Sequence, residues 1–200
     1  MLLDADECQL VLVDYQARLM PVIHDNTQVL AHAMRLAKIA QLLEVPVWGT
    51  EQNPQRLGEN PPELRALCRR TLAKMHFSAV ADGLADWLRP PAKPAGGNAR
   101  SLPRHLQKPA QSAPERGSIV LAGCEAHVCV QQTVLGLIDA GRRVYVVRDA
   151  LGSRRAESKE TAIRRMERHG AEIVTTEMVL FEWLGTAEHP QFRRIIALVK

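Results

Sequence analysis

The chain has 200 residues, 46% of them hydrophobic and 24% charged, which is enough to bury the core of a single domain over residues 1–200. Only 4% are aromatic, and no apolar run approaches the ~20 residues that span a bilayer, so composition excludes a membrane-spanning chain. The net charge is +4. The chain has four cysteines without regular spacing, and its N-terminus carries acids where a secretory signal would carry bases. These features predict a cytoplasmic protein rather than a secreted, disulfide-bonded one.

The first half of the chain predicts three strands and two helices. Residues 8–13 (CQLVLV) form a continuous apolar run, typical of a parallel strand that is buried on both faces. Apolar residues recur along one face of residues 26–43, which predicts a helix capped by Asn26. Further strands are predicted at residues 47–50 and 70–75, followed by a helix over residues 78–88.

Residues 90–116 differ in composition from the rest of the chain. The stretch from 90 to 117 holds six of the twelve prolines and five bases against one acid, so it carries the whole excess charge of +4. Because large apolar residues are few here, we expect a solvated surface insertion. A partial lid over the ligand crevice and a contact with an anionic partner stay open as alternatives. No aromatic side chain separates the bases to stack on a nucleotide, so nucleic-acid binding is not expected.

After the insertion, strands and helices alternate again. Strands are predicted at residues 118–122, 144–147 and 172–175, and helices at 127–140 and 158–169, with two more helices divided near 188–190. This pattern predicts one α/β domain: a doubly wound, mainly parallel six-stranded sheet with helices on both faces. In such sheets the ligand crevice lies beyond the carboxyl ends of the strands.

Residues that follow the predicted strands are therefore the candidates for chemistry. They are Asp14, Glu51, Gln52, Lys74, the turn over residues 123–129, and Asp149. Neither the glycine fingerprint of a dinucleotide site nor a phosphate-binding loop occurs. We expect a small-molecule substrate in the crevice and no cofactor.

Cys129 falls in the first turn of the helix after the fourth predicted strand. Free backbone N–H groups and the positive end of the helix dipole favour a thiolate there, and the same groups can hold the oxyanion of a tetrahedral intermediate. Asp14 is placed to take the thiol proton and Lys74 to stabilise the developing charge. An inert, buried cysteine stays open as the alternative.

The residues around Cys129 resemble the isochorismatase-like cysteine hydrolases, which include nicotinamidases and N-carbamoylsarcosine amidases. The likeness rests first on GCEAHVCVQQT at residues 123–133 and on AGRRVYVVRDA after it. It extends to LVLVDYQ, which contains Asp14, and to LAKMHFSAV, which contains Lys74. TEQNPQRLG at residues 50–58 is most similar to the isochorismatase domain-containing proteins of that family. The resemblance implies a catalytic triad of Asp14, Lys74 and Cys129.

The same resemblance implies further details of the site. A cis peptide is expected between Cys124 and Glu125, and an oxyanion hole at the backbone N–H groups of Glu125 or Ala126 and of Cys129. Nicotinamidases hold a metal through an Asp and two histidines after the second strand. Here that stretch reads EQNPQRLGENPP, without histidine, so no catalytic metal is expected.

The activity implied by the resemblance is cleavage of an amide-type C–N bond in a small molecule through a thioester on Cys129. True isochorismatases lack the nucleophilic cysteine, so Cys129 favours amide cleavage over vinyl-ether hydrolysis. Two alternatives stay open: a non-covalent hydrolase of the isochorismatase type, and a non-catalytic small-molecule-binding or scaffolding protein with the same fold.

Five side chains are candidates for substrate binding: Gln16, Glu51, Gln52, Phe77 and Cys124. Glu51 has a simpler interpretation as a cap for nearby backbone N–H groups, and Phe77 as a packing residue. His127 stands two positions from Cys129, where helical residues do not face each other, and is interpreted as a rim residue.

A homo-oligomer is expected on two grounds. Members of the resembled family are usually homo-oligomers, and the aliphatic C-terminal stretch RRIIALVK offers a patch that needs cover.

Overall fold

The computed structural model describes residues 2–89 and 116–199, which form a six-stranded sheet. The strands are β1 (Cys8–Val13), β2 (Val47–Gln52), β3 (Arg70–Lys74), β4 (Ser118–Cys124), β5 (Arg143–Gly152) and β6 (Glu172–Val174). Their order is β3-β2-β1-β4-β5-β6, and each neighbouring pair is parallel. The order reverses between β1 and β4, so a ligand crevice is expected beyond the carboxyl ends of these two strands.

Helices cover both faces of the sheet, which confirms the predicted doubly wound fold. In chain order they are α1 (Asn26–Leu42), α2 (Pro54–Leu57), α3 (Pro62–Arg65), α4 (Leu84–Trp87), α5 (Gln131–Asp139), α6 (Ala156–Arg168), α7 (Thr176–Leu184) and α8 (Phe192–Ile196). Leu10 and Leu12 of β1 belong to the core under α1, α7 and α8, whereas Val11 and Val13 belong to the core under α4, α5 and α6. Successive side chains of a strand point to opposite faces, so the apolar run of β1 supplies both cores.

Two helix predictions in the first half need correction. The helix expected over residues 78–88 is reduced to α4, because residues 78–83 form bends and turns and Gly83 is left-handed with φ 94°. Asn26 does not cap α1: it is the first helical residue, and Asp25 precedes it with φ 56°.

The elements beside Cys129 also differ from the prediction. The helix expected from residue 127 begins as a π-helical segment, Ala126–Val130, and becomes α-helical only at Gln131. β5 extends to Gly152 instead of ending near residue 147, and its pairing with β4 shifts register on the way. π-helical turns and strand irregularities are frequent next to functional sites, and periodicity of apolar residues does not reveal them.

The backbone is strained along the carboxyl edge of the sheet. Asp14, Asn53 and Glu125 follow β1, β2 and β4 directly, and their φ angles are 55°, 37° and 55°. Asp and Asn tolerate the left-handed region better than other residues, whereas Glu rarely adopts it. Such residues cost on the order of 1–3 kcal/mol each and cluster at functional sites. The edge where β1, β2 and β4 end is therefore the place to examine for chemistry.

Gly123 allows β4 to pack tightly against the end of β1. A Cβ atom at Gly123 would lie 2.6 Å from both the Cβ and the carbonyl oxygen of Val13, and 2.9 Å from Cγ2 of Val130. Any side chain there would push the π-helical segment away from β1. Glycine at this position therefore brings the segment that carries Cys129 close to Asp14.

The predicted surface insertion lies outside the described residues, except for its last residue. Arg116 is partly buried, and its Nη1 donates to the carbonyl oxygens of Ala5 and Cys8, both at 2.8 Å. The expectation that Arg116 is one of the solvated bases is therefore wrong. Its guanidinium instead fixes the start of β1.

The C-terminal stretch does not leave an aliphatic patch open. Ile195 of α8 is fully buried, and Ile196, Leu198 and Val199 pack against the core that lies under α1 and α7. The argument that RRIIALVK needs cover from a second copy is therefore wrong, because the chain covers it itself. Among the described residues, no helix is both long and apolar enough to cross a membrane.

Candidate active site

A buried ion pair joins the ends of β1 and β3. Lys74 Nζ lies 2.8 Å from Asp14 Oδ2, and both side chains are fully buried. Thr50, on the strand between them, donates its hydroxyl to Asp14 Oδ1 at 2.7 Å. Oδ2 accepts no well-aligned hydrogen bond from the described residues. This oxygen is paired by charge yet keeps a lone pair that can take a proton.

The ammonium group of Lys74 is held by three further oxygens. Nζ donates to Gln52 Oε1 at 2.7 Å and to the carbonyl oxygens of Phe77 and His76 at 3.2 and 3.4 Å. An ammonium has three N–H groups, so these three oxygens use all of its donors, and Asp14 is paired with it by charge. The positive charge is therefore fixed in place at the end of β3.

Cys129 faces this pair from the π-helical segment, with 4% of its surface exposed. Burial raises the pKa of its thiol, and the charge of Asp14 raises it further, while Lys74 acts in the opposite direction. Together they bring the pKa of Cys129 to about 12. The neutral thiol is therefore favoured over the predicted thiolate, because desolvation outweighs the dipole at the start of the helix.

The turn between β4 and Cys129 presents backbone N–H groups at the sheet edge. The carbonyl oxygen of Glu125 accepts from the N–H groups of Val128 at 2.8 Å and Val130 at 3.4 Å. The N–H groups of Glu125 and Ala126 precede this first hydrogen-bonded turn, where helix starts leave donors free.

The conformation of this turn corrects one expectation. Every peptide bond in residues 2–89 and 116–199 is trans, so the cis peptide expected between Cys124 and Glu125 is absent. The left-handed conformation of Glu125, with φ 55° and ψ 62°, makes the turn instead.

Gln16 and Gln52 use their amides within the protein. Gln16 Oε1 accepts from the backbone N–H of Gln52 at 2.7 Å, and Gln16 Nε2 donates to the carbonyl oxygens of Gln52 and Gly58. Gln52 Nε2 donates to the carbonyl oxygen of Met75 at 2.8 Å, while Gln52 Oε1 faces Lys74. Gln16 thus fixes the backbone of Gln52, and Gln52 reaches the ion pair.

The other three candidates for substrate binding, Glu51, Cys124 and Phe77, differ in exposure and in their contacts. Glu51 Oε1 accepts from the backbone N–H of Asn60 at 2.8 Å and lies 3.4 Å from Arg65 Nε, so it holds the loop after β2. Cys124 is fully buried, with Sγ 3.3 Å from Met20 Sδ. Phe77 exposes 52% of its surface beside the end of β3. Of these three side chains, only that of Phe77 is exposed, and its role in substrate binding stays a prediction.

Sequence reasoning missed a polar group on the β5 side of the turn. Arg154 Nε lies 2.9 Å from Glu125 Oε1, and His127 Nδ1 lies 3.3 Å from Glu125 Oε2 and 3.1 Å from Ser153 Oγ. An open cavity of about 450 Å³ adjoins this group and is lined by His127, Arg154, Arg155 and Ser158. His127 therefore lines this cavity, and its interpretation as a rim residue of the ligand crevice stays a prediction. β5 ends at Gly152, five residues beyond its predicted end. With the correct end, the rule that functional residues follow the strands would have selected Arg154.

Asp149, another strand-end candidate, has a structural role. Its carboxylate accepts from both the backbone N–H and the hydroxyl of Thr176, at 2.9 Å each. Asp149 therefore anchors the start of α7 away from the pair of Asp14 and Lys74.

The last two residues of β2 do not fit a metal. Glu51 Oε1 is occupied by Asn60 and Arg65, and Gln52 Oε1 by the ammonium of Lys74, so neither oxygen is free to bind a cation. Within residues 2–89 and 116–199, no three His, Cys, Asp or Glu side chains are grouped so that they could hold a metal.

Comparison of the sequence with known proteins identifies related chains. Residues 107–178 match the model of the isochorismatase domain. The human protein named isochorismatase domain-containing protein 2 is 38% identical over 191 residues, which cover 96% of this chain and 82% of that protein. Mouse isochorismatase domain-containing protein 2B is 34% identical over 191 residues, with 96% and 80% covered.

Solved structures share the fold. A Caenorhabditis elegans protein described as MAR1 ribonuclease superposes with a TM-score of 0.82 at 26% identity, covering 100% of this chain and 92% of that one. The YcaC gene product of Escherichia coli, described as an octameric hydrolase of unknown specificity, gives a TM-score of 0.75 at 22% identity, with 100% and 87% covered.

Proposed function

Because this chain belongs to the isochorismatase domain family, we propose that it is a hydrolase that cleaves an amide-type C–N bond of a small molecule through a thioester on Cys129. The observation that carries the proposal is the thiol of Cys129 facing a buried ion pair. Cys129 Sγ lies 4.0 Å from Gln52 Oε1, the oxygen that accepts from Lys74, and Asp14 lies 2.8 Å from the ammonium of Lys74. A nucleophile, a proton acceptor and a positive charge therefore lie within one buried cluster.

The first half of the proposed reaction forms the thioester. Asp14 Oδ2 takes the S–H proton of Cys129, and the sulfur electron pair attacks the carbonyl carbon of the amide. The carbonyl oxygen becomes an oxyanion, which the backbone N–H groups of Glu125 or Ala126 and of Cys129 bind. The C–N bond then breaks, and the nitrogen leaves with the proton that Asp14 holds.

The second half releases the acid and restores the enzyme. A water molecule passes one proton to Asp14 while its oxygen attacks the thioester carbonyl, and the same N–H groups bind the new oxyanion. The C–S bond breaks, the sulfur takes the proton back from Asp14, and the carboxylic acid departs. Lys74 stays protonated throughout and stabilises the thiolate by its charge.

The buried ion pair favours this proposal over a non-catalytic protein. Withdrawing two charges from water costs several kcal/mol per ion, and a pair of apolar side chains of similar volume often does as well or better for stability. In a binding or scaffolding protein, nothing would offset the free energy lost by burying these two charges. A non-covalent hydrolase would leave the thiol of Cys129 without a role, although this thiol lies beside the pair of Asp14 and Lys74.

The dependence of the rate on pH tests the proposed proton transfer. The pKa of Cys129 is raised to about 12, so at neutral pH the thiolate forms only when the proton moves to Asp14. Because this internal transfer does not change the number of protons bound to the protein, the fraction of thiolate does not depend on pH. We expect kcat/KM for ammonia release from a panel of primary amides and ureido acids to stay level from pH 7 to 9. A rate that climbs with an apparent pKa near 8.5, the value of an ordinary thiol, would contradict the transfer.

We further propose a cytoplasmic homo-oligomer without a resident metal or cofactor and without a nucleic-acid partner. The four cysteines are free, which supports a reducing compartment. The structural neighbour from Escherichia coli is described as octameric, and this supports an oligomer. Light scattering at micromolar concentration should give a mass above that of one chain, and a strict monomer would count against the assembly.

A further inference from the structure

Gln52 is fixed in one orientation beside the ion pair. Its Nε2 donates to the carbonyl oxygen of Met75 at 2.8 Å, so the amide cannot flip without placing two acceptors against each other. Its Oε1 consequently points at Lys74 Nζ, 2.7 Å away, and lies 4.0 Å from Cys129 Sγ. Gln16 holds the backbone of the same residue through both its N–H and its carbonyl oxygen. The amide oxygen is thus as firmly placed as the ion pair itself.

We propose that Gln52 is a positioning residue whose amide oxygen holds the ammonium of Lys74 beside Cys129, so that the thiolate meets a fixed positive charge when its proton moves to Asp14. This inference rests on the proposed function. It replaces the expectation that Gln52 binds substrate. With 8% of Gln52 exposed and both ends of its amide bonded to the protein, little of it is left for a ligand.

The charge of Lys74 needs such a holder because Asp14 competes for it. Without Gln52, Lys74 would be held by Asp14 and two backbone carbonyl oxygens at 3.2 and 3.4 Å. Asp14 would then draw the ammonium toward the carboxylate, where it opposes protonation of the very oxygen that must take the thiol proton. The neutral oxygen of Gln52 counters this pull without adding a charge that would repel the thiolate.

The neutrality of Gln52 is therefore part of the inference. The titratable groups that face Cys129 are Asp14 at the end of β1, Lys74 at the end of β3 and Cys124 at the end of β4. A carboxylate in place of the Gln52 amide would cancel the field of Lys74 and stand next to the developing thiolate. A role limited to accepting from Lys74 would survive that change, because a carboxylate oxygen is an even better acceptor for an ammonium, although the carboxylate loses the donor to the carbonyl oxygen of Met75.

Alkylation of Cys129 by iodoacetamide tests the inference without knowledge of the substrate. The rate is measured for Cys129 by peptide mapping at pH 7, 8 and 9 in the wild type, in Gln52→Met and in Gln52→Glu. We expect a level rate in the wild type. Both variants should react at least about 10-fold more slowly at pH 7, a loss equivalent to about 1.4 kcal/mol, and their rates should rise with pH because the thiol must then ionise into solvent.

Gln9→Met is the matched control. Gln9 is also buried and also uses both ends of its amide, with Oε1 accepting from Trp48 and Nε2 donating to Leu88. It lies five residues before Asp14 on the same strand, about 16 Å away at 3.3 Å per residue. Losing this amide should leave the rate and the pH profile of Cys129 as in the wild type.

The outcomes separate the two proposals. If wild-type Cys129 itself reacts about tenfold faster per pH unit, the transfer to Asp14 fails, and the role of Gln52 fails with it. If the wild type is level and both variants match it, the role of Gln52 alone is overturned. Labelling of the buried Cys8 and Cys124 reports loss of structure. Should Gln52→Met unfold, Gln52→Glu, which keeps an acceptor for Lys74, decides the question.

Discussion

Replacing Cys129 by alanine should abolish hydrolysis while the fold is retained. Without the sulfur no thioester forms, and we expect kcat/KM to fall by about 10³-fold or more, as for other enzymes that lose their nucleophile. The free energy of unfolding should drop by no more than about 1–2 kcal/mol, the usual cost of losing a small buried group. Turnover of an amide from the panel and urea unfolding measure the two effects.

Cys8→Ala is the control for this substitution. Cys8 is a buried thiol at the opposite end of β1, so the control removes the same atom from the core without touching the sheet edge that carries Asp14. It should lose comparable stability and keep its turnover. Wild-type turnover in Cys129→Ala would remove the covalent mechanism and leave the non-covalent alternative.

Breaking the pair of Asp14 and Lys74 should cause the largest loss of stability. Both side chains are fully buried, so Asp14→Asn leaves the ammonium of Lys74 without its counter-charge, and Lys74→Met leaves the carboxylate without one. Each change should lower the free energy of unfolding by about 3–5 kcal/mol. Asn accepts the left-handed backbone of residue 14 as readily as Asp does, so the loss reports charge rather than strain.

The double variant Asp14→Asn/Lys74→Met completes this test. With both charges gone, no buried ion lacks a partner, and much of the lost stability should return. Glu160→Gln, which breaks the exposed pair of Arg148 and Glu160, is the control and should change stability by less than about 1 kcal/mol. Additive losses in the double variant would show that the two side chains do not stabilise each other.

The place of the candidate site could be predicted because polar residues follow the ends of the strands. The apolar run of β1 indicates a strand buried on both faces, and the residue after such a strand lies at the ligand edge of the sheet. That rule selects Asp14, Glu51, Gln52, Lys74, the turn over residues 123–129 and Asp149, and the family resemblance singles out Asp14, Lys74 and Cys129. The structure brings these three side chains together in one cluster.

What the sequence could not predict depends on burial and backbone conformation. A cysteine at a helix start predicts a thiolate, but the depth of Cys129 and its closeness to Asp14 raise the pKa to about 12. Thr50 carries no charge and follows no strand, so nothing marked it as the partner of Asp14. The sequence places Gln52 at the end of a strand and so predicts that it binds substrate. It does not reveal that the amide is turned toward Met75 and Lys74.

Two further errors, in a helix and in a surface patch, arise from features that a pattern of apolar residues does not contain. The apolar pattern of residues 78–88 fits a helix, but Gly83 is left-handed and limits α4 to four residues. The patch at RRIIALVK is aliphatic, but the path of the chain after α7 folds Ile195 into the core. Both depend on tertiary packing, which a local pattern does not contain.

The thioester is the central claim, and mass spectrometry of the acylated protein tests it most directly. The wild type and Cys129→Ala are mixed with p-nitrophenyl acetate, quenched in acid within seconds, and mapped by peptide. We predict one acetyl group on Cys129 of the wild type, which disappears on longer incubation as water releases acetate, and none at this site in the variant. An acetyl group that is absent from Cys129, or that stays there without being released, would contradict the account.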